Sequence, residues 1–331
     1  MRPASFTRRA RAAALALASA ALLLAGCSTP AEEPAAPDDR ESVTITDNTG
    51  EKTIPLPIES VGIFDNRTFE LFAEWDIKPT VAARSLMPST NKFAEDESIL
   101  DVGSHREPNL DLIAGAAPDV IITGQRFAQY TDEIKELVPD AVIIELDPRE
   151  GEPFDQELKR QVEVLGEIFD KKDEAAAVNA AFDESIERVK AAYDPATKVM
   201  AVNTSGGNIG YLAPTVGRTL GPAFDIFGFT PALEVEGASD DHQGDDISVE
   251  AIAQSNPDLI LVMDRDAAVG ADEEGYTPAA DLLANNAALA NVPAVQNDAI
   301  VIMPPDTYTN EGVQTYTEFF NDLADQLESA S

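Results

Sequence analysis

The chain has 331 residues, 44% of them hydrophobic and 25% charged, which is ample apolar material for two domains or one large one. Sixty acidic residues stand against 23 basic ones, for a formal net charge of −37. A field of that sign repels phosphate backbones and anionic lipid surfaces, so nucleic-acid binding and polybasic membrane binding are excluded. One cysteine rules out an internal disulfide framework and any Cys-rich zinc site, and two histidines, His105 and His242, leave little room for an all-histidine site.

Arg2, Arg8, Arg9 and Arg11 form a basic head, followed by a run from Ala12 to Ala25 broken only by Ser19. A bilayer span needs about 20 apolar residues, so this shorter run fits the core of an export signal. It ends in Leu24-Ala25-Gly26-Cys27, which resembles the lipobox of bacterial lipoproteins. The resemblance implies a signal peptide over 1–26, cleavage before Cys27 and diacylation of its sulfur. The alternative is an incidental cysteine in an ordinary secretory signal. Two acyl chains, at about 0.8 kcal/mol per buried CH₂, anchor a protein stably. Residues 27–41 are rich in proline, alanine and acid without apolar periodicity, and read as a flexible acidic tether.

From residue 42 the pattern becomes that of a folded α/β protein. Val43 to Ile54 alternates around Asn48-Thr49-Gly50 and predicts a hairpin. Val61 to Phe64 and Ala141 to Glu145 read as strands. Two segments 139 residues apart, Asn109 to Thr123 and Ser248 to Val262, share five of fifteen positions, including Pro118-Asp119 and Pro257-Asp258. Each reads as a cap residue (Asn109, Ser248), a short helix with an acid in its first turn, a Pro-Asp stop and a buried parallel strand. Helix–Pro-Asp–strand is common in α/β proteins, but the match in order and spacing favours duplication.

Between the copies, Asp155 to Tyr193 has helical spacing, with a break near Phe169 to Asp173. Asp173 to Tyr193 predicts a helix of about 20 residues, some 30 Å long. Lys198 to Asn203 and Ala299 to Met303 predict strands of the second half. The expected architecture is two Rossmann-like α/β lobes, 42–170 and 196–331, joined by one long helix within 171–195, with a ligand cleft between them. So stiff a connector predicts limited closure on binding.

Ligands of open α/β sheets sit beyond the carboxyl ends of the strands. Arg126 and Arg265 follow the two repeated strands and are again 139 residues apart. A guanidinium fork suits carboxylate or phenolate oxygens. The competing reading is that each pairs with a neighbouring acid, Asp264 or Asp266 in the case of Arg265. His242 lies in a polar loop before the second copy, where a solvated surface role is the plainer alternative. Tyr308 lies in a loop after the strand Ala299 to Met303, at a strand's carboxyl end.

Several strings resemble the ferric-siderophore-binding lipoproteins of ABC importers, which have the class III periplasmic-binding-protein fold, and their catecholate branch in particular. They are Val216-Gly217-Arg218, Phe224 to Gly228, His242-Gln243-Gly244 before Ile247 to Ile252, Asn256 to Arg265, Asn285 to Leu289 and the Tyr308 loop. Val102 to Asp111 and Pro118 to Gly124 match in the first half, so the resemblance runs from about residue 42 to 328. It implies a lipid-anchored, extracytoplasmic and monomeric receptor, with no permanent cofactor and ferric iron carried within its ligand.

Carried over by position, His242 and Tyr308 would ligate the iron, while Arg126, Arg218 and Arg265 would surround the anionic catecholates. Asp111 and Glu250 would dock onto the permease, the alternative being simple stabilisation of a helix start. Three departures stand out. Gln243 separates His242 from Gly244, Thr307 and Thr309 replace aromatic neighbours of Tyr308, and Arg126 aligns only with a one-residue shift. No nucleophile elbow, P-loop or His-Glu-x-x-His motif points to an enzyme. Haem or cobalamin remains the alternative cargo for the same fold.

Overall fold

The computed structural model describes residues 41–330. The expected signal peptide, Cys27 and nearly all of the tether lie outside the described residues. Ser42–Asp47 (β1) and Gly50–Pro55 (β2) form the predicted hairpin, with Ser42 opposite Pro55. Its alternation is functional in the packing sense, because Val43, Ile45 and Ile54 are buried while Thr44 and Thr46 face water.

The remaining strands make two five-stranded sheets. The first contains Val61–Ile63 (β3), Val81–Ala82 (β4), Leu100–Asp101 (β5), Val120–Thr123 (β6) and Val142–Glu145 (β7). All are parallel, in the order β5-β4-β3-β6-β7. The second contains Lys198–Ser205 (β8), Asn208–Leu212 (β9), Thr230–Pro231 (β10), Leu259–Asp264 (β11) and Ile300–Ile302 (β12). Its parallel order is β10-β8-β11-β12, with β9 antiparallel on β8. Parallel neighbours need helical crossovers, and these cover the sheets so that β6 and β11 are buried throughout.

Helix Phe154–Ile168 stops at a turn in which Asp170 takes a positive φ of 56°. Helix Lys172–Ala192 then runs 21 residues, about 30 Å, within one residue of the predicted span. The C-terminal helix Val313–Ser329 packs along it, with Phe182 stacked on Phe320 at 5.8 Å.

Period-2 alternation divides the second sheet between two cores. Leu259, Leu261 and Met263 join the large core that also holds Phe182, Phe319, Phe320 and the first sheet. Ile260 and Val262 join a smaller core with Ile252, Leu283 and Leu289. Each large buried side chain contributes roughly 1.5–3 kcal/mol. Because the large core runs unbroken from one sheet through the helices to the other, the two sheets are held by packing as well as by the linking helix. No helix of the described residues is long and apolar enough to cross a membrane.

Candidate functional site

The two sequence copies adopt matching folds. Ala117 and Asn256, 139 residues apart, both end their helices in the left-handed region. The aspartates that follow bind the start of the neighbouring strand. Asp119 accepts from the amides of Glu59 and Ser60, and Asp258 from the amide of Lys198. The caps differ. Ser248 Oγ accepts from the Ala251 amide as predicted, whereas Asn109 does not cap. Its amide donates to the Val102 carbonyl, and the helix begins one step later, at Asp111 behind Leu110.

Past the strand ends, the predicted residues converge. Gly124 and Gln125 turn the chain after β6, the Gln125 amide bonding the Asp147 carboxylate at 2.9 and 3.0 Å. This turn delivers Arg126, whose Nη2 donates to the Tyr308 carbonyl at 2.9 Å and whose Nη1 donates to Gln125 Oε1 at 3.0 Å. Arg265 opens the helix Arg265–Val269 after β11, held by Asp266 Oδ1 at 3.1 Å and Ser205 Oγ at 3.3 Å. Arg218 reaches Glu311 through Nε and Nη2, both at 3.1 Å. The pairing alternative therefore holds for Arg265, through Asp266 and not Asp264, and fails for Arg126, which has no carboxylate partner among the described residues.

All three guanidinium carbons lie against the Tyr308 ring, at 4.9 Å for Arg126, 5.1 Å for Arg218 and 4.8 Å for Arg265. Burial alone would push the Tyr308 phenol up. Its hydrogen bond with Arg265 and the charges of Arg126 and Arg218 overcome that and hold it below the ordinary value. These residues line an open cleft of about 610 Å³ together with His105, Arg106 and His242. A smaller recess of about 360 Å³, lined by Arg67, Phe154 and Glu311, shares Arg126 and Arg218 with it.

His242 sits at the rim with its side chain 47% exposed, 3.8 Å from Asp241. Its loop is pinned where Gly244, at φ 78°, packs on Gly210; a Cβ on Gly210 would stand far inside contact distance of the Gln243 carbonyl. The Asn203 side chain donates to the His242 carbonyl at 3.1 Å, which fixes the loop over the cleft. Asp111 and Glu250 are elsewhere. Both are exposed in the first turns of their helices, and neither forms an ion pair among the described residues.

The sequence reading missed His105, Arg106 and Glu311. His105 lines the cleft from the first-sheet side. Burial, then the charges of Arg126, Arg106 and Arg218, lower its proton affinity and favour a neutral imidazole. Glu311 is 3% exposed, yet the charges of Arg218 and Arg67 outweigh burial and hold its carboxyl at about 2.

A cleft beyond the carboxyl ends of parallel strands from both sheets, lined by arginines and one phenol, has the form of a ligand-binding site suited to anionic groups. Comparison with known proteins agrees. The family model described as periplasmic binding protein matches residues 62–307, and the chain belongs to this family of binding proteins. Petrobactin-binding protein YclQ of Bacillus subtilis (strain 168) is 27% identical over 297 residues, spanning 87% of this chain and 89% of that one. The crystal structure of YclQ superposes with a TM-score of 0.73 at 24% identity, covering 87% of this chain and 99% of that chain. The catecholate-siderophore binding protein VctP from Vibrio cholerae gives a TM-score of 0.73 at 22% identity, covering 87% and 100%.

Proposed function

We propose that this chain is the extracytoplasmic receptor of an ABC importer, capturing a ferric siderophore of catecholate type and delivering it to the permease. The observation that carries the reading is the set of three guanidiniums at 4.8–5.1 Å around the Tyr308 ring, in a cleft that also holds His242. The names of the relatives, one for petrobactin and one for catecholate siderophores, support the cargo class.

The chemistry follows from the donors. A tetradentate bis-catecholate leaves two positions open on six-coordinate ferric iron, and the His242 imidazole and Tyr308 phenolate fill them. Ferric iron is a hard Lewis acid that favours loss of the phenol proton. The surrounding arginines already bias Tyr308 toward that loss. Arg126, Arg218 and Arg265 then offset the charge of the catecholate oxygens, which in a chain of net charge −37 requires a local cluster. At physiological salt the screening length is about 8 Å, so the cluster governs the cleft. Asp111 and Glu250, one exposed acid from each copy of the repeat, dock onto the permease. Diacylated Cys27 holds the monomeric receptor at the membrane.

The test is titration with ferric bis-catecholate and tris-catecholate, following quenching of intrinsic fluorescence. Tight binding of the bis complex is expected to weaken at least tenfold in His242→Ala/Tyr308→Phe, about 1.4 kcal/mol. No binding of either complex would overturn the assignment in favour of haem or cobalamin.

A further inference from the structure

Tyr308 belongs to a strap, Pro304 to Gly312, that leaves the second sheet after β12 and is fastened to the other half of the molecule. Asn66 Nδ2 donates to the Thr309 carbonyl at 2.9 Å, and Thr90 Oγ1 to Asp306 at 3.1 Å. Asn310 Nδ2 donates to Glu70 at 2.7 Å. Gly312 passes so close to Arg67 that a Cβ there would sit 2.7 Å from the Arg67 carbonyl. Only three residues beyond Tyr308 comes Glu311, buried beneath the arginines.

Both carboxylate oxygens of Glu311 are in use, and by both halves. From the second half, Arg218 donates twice at 3.1 Å and Thr219 Oγ1 once at 2.7 Å. From the first half, Gln125 Nε2 donates to Oε2. The other end of the Gln125 amide, Oε1, accepts from Arg126 Nη1. One carboxylate thus holds Arg218 directly and Arg126 through Gln125, while Arg265 is held separately by Asp266.

We propose that Glu311 is a positioning residue that sets the Arg126 and Arg218 guanidiniums around Tyr308 before cargo arrives, tying the two halves at the floor of the cleft. This rests on the receptor reading above, but the arrangement it describes exists in the ligand-free protein. Its physical sense is preorganisation. Arginine loses side-chain freedom on being fixed, and a site that has already ordered its arginines loses less when the ligand binds. A bidentate, charge-assisted pair is the strongest device for fixing a guanidinium plane. Glu311 acts through Arg218 and Gln125 and not by contact with the ligand.

Two measurements test it. The first is ¹⁵N–¹H spectroscopy of the arginine Nε–H groups without ligand. A sharp, slowly exchanging Arg218 signal is expected, lost in Glu311→Ala and partly restored in Glu311→Gln, which keeps one acceptor oxygen. The Arg265 signal should stay unchanged in both variants, which separates loss of positioning from loss of folding. An Arg218 signal that survives Glu311→Ala would overturn the proposal.

The second is a double-substitution cycle with ferric bis-catecholate. Glu311→Ala should weaken binding at least tenfold in the wild-type background and at least threefold less in Arg218→Ala. Equal losses in the two backgrounds would show that Glu311 does not act through Arg218. If the wild type binds no ferric catecholate, the receptor reading fails, while the spectroscopic arm still decides the role of Glu311.

Discussion

The two copies of the repeat share a backbone and differ in how they present charge. In both, a short helix ends in a left-handed residue, Ala117 or Asn256, and a Pro-Asp aspartate braces the neighbouring strand. At the strand end they part. The second copy places Arg265 on a regular helix capped by Asp264 and balances it with Asp266. The first copy turns through Gln125, in the left-handed region at φ 46°, and leaves Arg126 bonded only to neutral oxygens. The duplicated scaffold therefore offers the same phenol one guanidinium in a direct ion pair and one whose nearest carboxylate, Glu311, is reached only through Gln125.

The sharpest way to break that contrast is to remove each arginine in turn. Arg126→Ala is expected to weaken ferric bis-catecholate binding about 100-fold and Arg265→Ala about tenfold, because hydrogen bonds to charged groups contribute roughly 1.5–3 kcal/mol and Asp266 already offsets Arg265. Isothermal titration of both variants at one ionic strength measures it. Equal losses, or a larger loss for Arg265, would mean that ion pairing with Asp266 does not tune the site.

A second difference lies deeper. Val61 pairs with Val120 in the first sheet and Val199 with Leu259 in the second. Four residues past each of these first partners, the first half has Asp65 and the second has Asn203, both fully buried. Burial, reinforced by the charge of Asp147, raises the Asp65 carboxyl to about 6 against the partial relief supplied by Arg67 and Gln161. The folded state therefore holds this proton more tightly than the unfolded chain, whose aspartates titrate near about 3.9. The stability it contributes is present below that value and is lost as pH rises through about 6.

Asp65→Asn copies the amide of the second half and removes the ionisation. It is expected to raise the melting temperature at pH 8 by about 3 °C, on the order of 1 kcal/mol for a protein of this size. The gain should shrink below pH 6 and vanish near pH 4. Calorimetry across that range checks the sign, and a gain that grows toward acid would contradict it.

Much of this comparison was legible in the sequence, for physical reasons. The hairpin, the linking helix and both copies depend on local periodicity and on turn residues that act within a few positions. Arg126, Arg265 and Tyr308 could be placed at the cleft because the ends of parallel strands have a fixed relation to the ligand site. Glu311 could not. It is one of 60 acidic residues, and nothing in Asn310-Glu311-Gly312 separates it from a solvated carboxylate. Its role arises from burial against Arg218, 93 residues away in the chain. His105 was hidden in the same way, since only the folded loop brings it beside Arg126 and Arg218.

The smallest expected effect concerns the helix starts, where sequence similarity overstated structural similarity. Ser248 is extended at φ −61°, ψ 141°, and its hydroxyl accepts from the Ala251 amide, so Ser248→Ala should cost about 1 kcal/mol in denaturant unfolding. Asn109 occupies the matching position, but its amide is drawn back to Val102 and its side chain caps nothing. Asn109→Ala should therefore cost no more than a few tenths of a kcal/mol, within the usual range for surface substitutions. The first-copy helix then relies more on Asp111, at its first position, to offset the exposed amides. Asp111→Asn should thus cost more stability than Glu250→Gln, each by roughly 0.3–1 kcal/mol. Equal costs for the two would mean that the missing cap at Asn109 leaves Asp111 with no extra part in stabilising its helix, and no cost for either would place both acids outside the stability of the fold.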